Sequence, residues 1–417
     1  MFHTKYLIVR SSHAGLAALD AIRLQDKESS LTLVTREACL PYSPTILPYV
    51  LSGQTEPAKV FLRSEETLGE LRVSYRPGVK VAAVHPDKHQ VVPDRGEILE
   101  YEKLLLATGA GPKLPRVKGL EGPSCHVLRT LEDAVKLCTA SKEAKTAVIL
   151  GGGLIGLHAA ESLAARGLKV TVVEALSRLL SGYFDEEAAG LICGAFRDNG
   201  IEILTSERVL SASEALRGCL LTLSSGKTLE AELLLIATGV SPRTEYLKGS
   251  GVEVDEGILV DERMRTSADD VWAAGDVAQA KSFFDGTARV NAILPSAVEQ
   301  GRIAGMDMAG DPALKPFEGA IPLNTYRFFG HRAFSVGMSL GAEGLETTKV
   351  SFPEAHRYLK LVFKGDCLAG AEGVNADVDP GVMHQLIRRK VALGEGKGKL
   401  CANPVAMSRV LMTSIWR

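Results

Sequence analysis

Three glycines with the spacing of a nucleotide-binding turn stand near the middle of the chain. They follow the apolar run 147–150 in the order G-x-G-x-x-G. Glycine permits a tight turn, lets the backbone approach a pyrophosphate, and lets the next helix pack closely, while that helix offers unpaired N–H groups to the phosphates. The residues predicted to bind these phosphates are Gly151, Gly153, Leu154, Ile155 and Gly156.

An acidic residue closes the strand that follows this turn. Glu174 lies 21 residues after Gly153, at the end of the apolar run 170–173. A carboxylate there accepts hydrogen bonds from both ribose hydroxyls and repels a 2′-phosphate, so NAD is favoured over NADP. An isolated glycine motif is also compatible with a purely structural turn. Strand, turn, helix, strand and acid in register favour a nucleotide site.

The first 40 residues repeat this order of elements with an altered turn. Strands are predicted at 6–9 and 31–34, with a helix between them. Gly15 keeps the third glycine position, but Ser12 stands at the second and Arg10 at the first. If the first position requires a positive φ or lacks room for a Cβ atom, Arg10 costs strain. Alternatively its guanidinium reaches the pyrophosphate, or the turn is degenerate and binds weakly.

The acid and the loop after this second unit are less regular. Thr35 occupies the position equivalent to Glu174, so Glu37 is the acid expected at the ribose. The loop 40–49 contains three prolines. Because proline disrupts a regular helix, we predict an extended loop that could wall a flat ring system.

The two halves of the chain share one succession of elements. Apolar strands at 104–106 and 233–236 both end in Ala-Thr-Gly, at 107–109 and 237–239, after an antiparallel excursion. Two copies of one architecture imply two dinucleotides.

A further strand at 271–274 ends beside Gly275 and Asp276. An acid at a strand end can accept a hydrogen bond from a polyol hydroxyl or cap a following helix. A small-residue helix is predicted at 297–308. Beyond residue 321 the pattern changes, and no nucleotide fingerprint appears. The elements predicted there are strands at 332–336, 358–363 and 368–371 and a helix near 383–393.

Composition restricts the classes of protein to consider. The chain has 417 residues, a net charge of −2, 46% hydrophobic and 24% charged residues, which indicates two or three globular domains without a preference for nucleic acid or anionic membranes. The first strand follows Met1 without room for a leader, and no apolar stretch is long enough to span a membrane, so a cytoplasmic location is expected. Seven cysteines lack C-x-x-C spacing, so no metal or local redox disulfide is predicted.

The ordered set of motifs resembles a known family over nearly the whole chain. The two nucleotide units, both Ala-Thr-Gly strand ends, Ala274-Gly275-Asp276 and the helix at Gln300-Gly301 are similar to those of FAD/NAD(P)-dependent pyridine nucleotide oxidoreductases of the rubredoxin reductase, NADH oxidase and nitrite reductase type. Segments 11–15 and 42–49 are most similar to the flavin subunits of anaerobic complexes, such as those of phenylglyoxylate dehydrogenase and tungsten aldehyde oxidoreductase.

The resemblance implies an α/β fold with two nested, three-layer, Rossmann-like dinucleotide-binding domains plus a C-terminal α+β domain. The implied domains are an FAD-binding domain at 1–112 and 242–321, an NAD(H)-binding domain at 113–241 and an interface domain at 322–417. Gly239 joins the NAD(H) site. The implied FAD-site residues are Ser11, Ser12, His13, Ala14, Gly15, Arg36, Glu37, Pro44, Val81, Ala107, Thr108, Gly109, Gly275 and Asp276.

Several positions depart from the family pattern besides Arg10. His158 stands where many relatives carry a glutamate near the nicotinamide. Cys39 precedes Pro41 by two residues, whereas the redox cysteine of the disulfide-reducing relatives precedes its proline by three in C-G-x-P-Y. The cations that relatives place in the loop appear here as Pro44 and Tyr49.

The leading hypothesis is hydride exchange between nicotinamide C4 and flavin N5, without a catalytic acid or base, followed by electron transfer to or from an iron–sulfur protein or subunit. We expect a hetero-complex or a homodimer. One alternative is a stand-alone NADH oxidase or thiol-disulfide reductase that uses Cys39. Another is a non-catalytic nucleotide-binding subunit whose FAD site is impaired by Arg10.

Overall fold

The computed structural model describes residues 2–120 and 125–415, so the predicted ends at Met1 and Arg417 lie outside the described residues. The chain divides into two compact units. Unit 1 comprises residues 1–46, 56–111 and 240–320, and unit 2 comprises 47–55, 112–239 and 321–417. The division into three domains by ligand stays a prediction. Among the described residues, no helix has the length and apolar character needed to cross a membrane.

The elements are numbered along the chain. Up to residue 112 they are β1 (Phe2–Val9), α1 (His13–Gln25), β2 (Leu31–Thr35), α2 (Leu47–Ser52), α3 (Glu65–Glu70), β3 (Val73–Pro77), β4 (Val81–His85), β5 (Gln90–Pro93), β6 (Leu99–Leu106) and β7 (Ala110–Pro112). To residue 236 they are β8 (Cys125–His126), α4 (Leu131–Ala140), β9 (Thr146–Leu150), α5 (Leu154–Ala165), β10 (Lys169–Val173), α6 (Glu186–Asp198), β11 (Glu202–Leu204), β12 (Val209–Glu214), β13 (Cys219–Leu223), β14 (Thr228–Ala231) and β15 (Leu233–Ile236).

The remaining elements complete unit 1 and form the C-terminal part of unit 2. They are β16 (Val240–Pro242), β17 (Ile258–Leu259), β18 (Val271–Ala273), β19 (Ala278–Lys281), β20 (Ala288–Val290), α7 (Leu294–Ala309), β21 (Leu323–Phe328), β22 (His331–Gly337), β23 (Glu346–Phe352), β24 (Arg357–Lys364), β25 (Cys367–Val374), α8 (Pro380–Arg388), α9 (Gly396–Ala402) and α10 (Pro404–Ile415).

Unit 1 is built on a seven-stranded sheet with the order β3-β2-β1-β6-β5-β4, in which β18 also pairs with β6. The strands β3, β2, β1, β6 and β18 run parallel, while β5 and β4 continue as an antiparallel edge. The central strand β1 is an unbroken apolar run at its end, where Leu7 and Ile8 are fully buried. Burial on both faces is what a parallel sheet covered by helices requires.

Unit 2 contains a five-stranded sheet in the order β11-β10-β9-β15-β8, in which each pair of neighbouring strands is parallel. An antiparallel layer, β12-β13-β14, follows the same succession as β4 and β5 in unit 1. A separate antiparallel sheet has the order β21-β22-β25-β24-β23. The predicted fold class, two dinucleotide-type α/β sheets plus a C-terminal α+β part, is therefore confirmed.

A cluster of buried charges ties the C-terminal sheet to α6. Asp185, the N-cap residue of α6, accepts hydrogen bonds from Tyr358 Oη at 2.6 Å and Lys360 Nζ at 3.3 Å. Lys360 also donates to Glu372 Oε1 at 3.1 Å, and Glu372 is fully buried. Burial, together with the charge of Asp185, raises the pKa of Glu372 to about 7. One lysine thus serves two carboxylates that are far apart in sequence.

Two of the predicted elements were wrong in detail. The proline-rich segment 40–49 is not wholly extended, because α2 begins at Leu47 with Pro48 in its first turn, where the missing N–H would have no helical partner in any case. The helix predicted near 383–393 is α8, which ends at Arg388, and Lys390 has a left-handed backbone that ends the helical path.

The helices α1 and α7 cross closely because α7 carries glycine at the crossing. A Cβ atom added to Gly301 would lie 2.1 Å from the carbonyl oxygen of Ala14, and one added to Gly305 would lie 2.4 Å from that of Ala18. Both distances are far below a van der Waals contact. The backbones of the two helices therefore touch directly, and this contact fixes the first turn of α1 in unit 1.

We expect Gly301→Ala to lower the free energy of unfolding by about 1–3 kcal/mol, because the methyl group must push α7 away from α1. Gly190→Ala is the matched control, since Gly190 is exposed inside α6 and a Cβ atom there meets no described atom within 4 Å. This control should be more stable than the wild type by about 0.5–1 kcal/mol, because alanine favours the helix more than glycine does. Thermal unfolding of both variants checks this, and equal stabilities would contradict the direct contact of the helices.

Candidate nucleotide sites

The turn between β9 and α5 has the geometry that its three glycines predict. Gly151 has φ of +109°, and a Cβ atom on it would lie 2.4 Å from the carbonyl oxygen of Ala237. A Cβ atom on Gly156 would lie 2.1 Å from the carbonyl oxygen of Gly151. At Gly153, the N-cap residue of α5, an added Cβ would meet no described atom within 4 Å. The middle glycine thus leaves the N-terminus of α5 open to a phosphate.

Glu174 is held in place beside this turn. Its Oε2 accepts a hydrogen bond from the N–H of Gly152 at 2.6 Å, and its Oε1 accepts one from the N–H of Leu176 at 2.8 Å. Each carboxylate oxygen has a second lone pair, so both remain able to accept from ribose hydroxyls. Gly239, at the end of β15, has φ of +107°, and Ile155 is 43% exposed on the first turn of α5. These residues fit the adenosine half of NAD(H).

The turn between β1 and α1 has the same form despite its different residues. A Cβ atom on Gly15 would lie 2.1 Å from the carbonyl oxygen of Arg10, which repeats the distance at Gly156. Ser12 is the N-cap residue of α1, as Gly153 is of α5. Arg10 has φ of +92°. The backbone therefore adopts at an arginine a conformation that favours glycine, at a cost of about 1–3 kcal/mol.

The side chain of Arg10 turns towards two neighbouring strand ends. The guanidinium donates a hydrogen bond to the carbonyl oxygen of Thr108 at 2.9 Å and pairs with Glu37 Oε1 at 3.4 Å. The other carboxylate oxygen of Glu37 accepts a short hydrogen bond from the hydroxyl of Tyr42. Arg10 is only 7% exposed. The predicted ribose acid is thus held between a cation and a phenol.

These side chains line a pocket at the carboxyl ends of β1 and β2. Its lining comprises Arg10, Ser11, Ser12, Thr35, Glu37, Cys39, Leu40, Tyr42 and Pro44. Four predicted FAD-site residues, Ser11, Ser12, Glu37 and Pro44, are brought together there. The carboxyl ends of parallel strands are where ligands bind in open α/β sheets. Tyr42 was missed as a partner of Glu37, and its only sequence signal is its place in the proline-rich loop.

The first turn of α1 is linked to the same loop through His13. Its Nε2 lies 2.7 Å from Ser43 Oγ, which lies 2.7 Å from Thr45 Oγ1. Burial lowers the pKa of His13, although the charge of Asp276 opposes this effect. His13 is therefore a neutral hydrogen-bonding residue at neutral pH. The adjacent Ala14 packs under α7 as described above.

Five further predicted FAD-site residues, Ala107, Thr108, Gly109, Gly275 and Asp276, follow the ends of β6 and β18. Ala107 is buried, Gly109 has φ of +66° and Gly275 has φ of +80°. The N–H of Gly275 donates to Gln300 Oε1 at 2.8 Å, a fixing contact that the sequence did not assign. Asp276 lies in a turn before β19, so the alternative that it caps a helix was wrong.

Two predicted residues lie apart from this pocket. Arg36 is exposed, and Val81 packs against a hydrophobic core cluster of unit 1. Neither is among the described residues that line the pocket. Their assignment to the FAD site stays a prediction, as does that of the residues at the pocket and at the strand ends.

The surroundings of His158 and Cys39, two other departures from the family pattern, determine the charge of each side chain. His158 lies in α5, and its ring meets that of Tyr326 edge-on at a centroid distance of 4.7 Å. Burial lowers the pKa of His158 to about 4, so at neutral pH an uncharged ring stands where many relatives carry an anionic glutamate. Burial and the neighbouring Glu37 raise the pKa of the Cys39 thiol to about 11. Cys39 therefore lacks the thiolate that a redox nucleophile requires.

Comparison with known proteins agrees with this geometry. The chain is 52% identical over 416 residues to the NADH-dependent phenylglyoxylate dehydrogenase subunit epsilon of Aromatoleum evansii, covering 100% of this chain and 99% of that protein. It is 29% identical over 314 residues to a rubredoxin-NAD(+) reductase of Pseudomonas putida, covering 74% and 81%. The solved structure of an NAD-dependent persulfide reductase from A. fulgidus superposes with a TM-score of 0.87 at 25% identity, covering 98% and 83%.

The family profile described as "Pyridine nucleotide-disulphide oxidoreductase" matches residues 4–301. This match covers most of unit 1 and residues 47–55 and 112–239 of unit 2. FAD and NAD(H) are accordingly the cofactors of the chain. The chain belongs to the pyridine nucleotide-disulphide oxidoreductase family, as an FAD-dependent oxidoreductase of NAD(H).

Proposed function

We propose that the chain is the flavin subunit of a complex and carries electrons between NAD(H) and an iron–sulfur protein or subunit. The observation that carries the proposal is the protonation of the Cys39 thiol. The thiol of Cys39, in the loop where disulfide-reducing relatives keep theirs, has a pKa raised to about 11 and is protonated at neutral pH. Because the Cys39 thiol is not poised to receive them, we expect the electrons to leave for another protein. The relative in Pseudomonas putida is named for rubredoxin as well as NAD(+), which supports this class of partner.

The protein's own contribution is binding and orientation. In the proposed NAD(H) site, Gly153, Leu154, Ile155 and Gly156 present backbone N–H groups to the pyrophosphate, while Glu174 accepts from the ribose. In the proposed FAD site, residues 11–15 serve the pyrophosphate, Glu37 the ribose and Asp276 the polyol chain. FAD supplies a ring that exchanges a hydride with the nicotinamide and single electrons with a metal centre. No side chain is needed as an acid or base, so no catalytic residue is proposed.

A stand-alone NADH oxidase or thiol-disulfide reductase that uses Cys39 is the main alternative. It would need the Cys39 thiolate, which burial and Glu37 disfavour. Electron flow in either direction, from NADH to the partner or from the partner to NAD, is compatible with the same two sites. Assembly with other subunits is favoured over a homodimer by the name of the relative that matches the chain end to end.

Glu174→Gln tests the NAD(H) site. A glutamine has a single oxygen, so one of the two backbone N–H groups loses its acceptor, and the neutral amide no longer repels a 2′-phosphate. We therefore expect KM for NADH to rise about tenfold and the preference for NADH over NADPH to fall. Glu230→Gln, an exposed glutamate in β14, is the control and should leave both values unchanged. Steady-state kinetics with the two coenzymes measures this. An unaltered coenzyme preference in Glu174→Gln would count against the proposed site.

Cys39→Ser separates the proposed function from its alternative. Because the electrons are expected to bypass the thiol, the variant should reduce an iron–sulfur protein, such as a rubredoxin, with NADH at the wild-type rate. The absorbance change of the iron–sulfur protein gives that rate, with Cys401→Ser as a control in a different part of the chain. A loss of activity confined to Cys39→Ser would favour the thiol-dependent alternative.

A further inference from the structure

Arg10 occupies a turn position whose backbone conformation favours glycine, yet its side chain makes specific contacts with two neighbouring segments. Its backbone has φ of +92°, where the matching Gly151 has +109°. Its guanidinium spans from the carbonyl oxygen of Thr108, at 2.9 Å, to Glu37 Oε1, at 3.4 Å. The side chains of Arg10 and Glu37 are 8% and 16% exposed. A strained residue persists where its surroundings hold it, and such residues cluster at ligand sites.

The charges of this pair bear on what the pocket can bind. Glu37 lies in the same pocket as Ser11 and Ser12, which flank the N-terminus of α1. A pyrophosphate placed at that helix would bring negative charge towards a poorly solvated carboxylate. The fixed guanidinium of Arg10 offsets that carboxylate, and its two-pronged geometry also holds Glu37 Oε1 against the end of β6. Tyr42 fixes the other oxygen.

We propose that Arg10 is a positioning and specificity-determining residue for the adenosine diphosphate half of FAD, which holds Glu37 for the ribose and compensates its charge beside the pyrophosphate. The proposal rests on the placement of FAD in unit 1 under the proposed function. In the altered turn, the side chain of a turn residue, Arg10, thus fixes the ribose acid. In the NAD(H) turn, backbone N–H groups fix Glu174 instead.

The test is the affinity of the apoprotein for FAD, followed by quenching of flavin fluorescence. Arg10→Met keeps the strained Cβ and an unbranched side chain but removes the charge and the hydrogen-bond donors, so Kd for FAD should rise about tenfold or more. Arg10→Lys restores charge without the fork and should fall between wild type and Arg10→Met. ADP as a competitor should lose affinity for Arg10→Met by the same factor, because it carries the half that Arg10 serves.

The matched control is Arg72→Met. Arg72 also has a positive φ, of +51°, and also pairs with a glutamate, Glu28, but the two side chains are 61% and 77% exposed. Its Kd for FAD should equal that of wild type. Thermal unfolding of each apoprotein checks that the variant is folded. If Arg10→Met does not fold, Arg10→Lys is compared with wild type in its place.

A double-mutant cycle with Glu37→Gln tests the charge argument itself. The increase in Kd caused by Arg10→Met should be smaller when Glu37 is already neutral. Additive effects, or an Arg10→Met Kd within twofold of wild type, would overturn the proposal. If wild type binds FAD and responds to Arg10 as expected but transfers no electrons to an iron–sulfur protein, the role of Arg10 stands and the proposed partner is wrong. If wild type binds no FAD, both are wrong.

Discussion

In both nucleotide-type units, a backbone carbonyl oxygen occupies the space that a side chain on the third glycine of the turn would need. The distance from an added Cβ is 2.1 Å at Gly15 and 2.1 Å at Gly156. This contact brings the first turn of each helix against the end of its strand, so that helical N–H groups point to one place beyond the sheet. The strand ends and acids that complete each site are arranged around that point. In unit 1, the crossing of α1 with α7 adds a second backbone contact.

The two sites keep this constraint and differ in how the acid is fixed. In unit 2, Glu174 takes its two hydrogen bonds from the backbone N–H groups of Gly152 and Leu176. In unit 1, Glu37 takes them from the side chains of Arg10 and Tyr42. A backbone donor is available to any sequence, whereas a side-chain donor can be changed or lost. In unit 1, the half proposed to bind FAD, the acid is therefore held by side chains, one of which is the arginine that stands at the first glycine position.

The sequence predicted what depends on local spacing. The glycine turns, the acid at Glu174, the helix α7 and the paired Ala-Thr-Gly strand ends all follow from patterns a few residues long, and the structure contains the corresponding elements. The bond from Arg10 to the carbonyl of Thr108 joins residues 98 apart in sequence, so no local pattern could predict it. The helix α2 was missed because proline was treated as excluding a helix, although the first helical turn tolerates it. The grouping of 47–55 with unit 2 likewise depends on long-range packing.

The central claim is that one chain holds FAD and NAD(H) and passes a hydride between them without help from a thiol. Mixing the FAD-loaded Cys39→Ser variant with NADH under anaerobic conditions in a stopped-flow spectrometer tests it most directly. We predict that the oxidised flavin absorbance bleaches in a single turnover at the wild-type rate. A colourless protein that takes up no FAD, or a flavin absorbance that NADH leaves unchanged, would contradict the account.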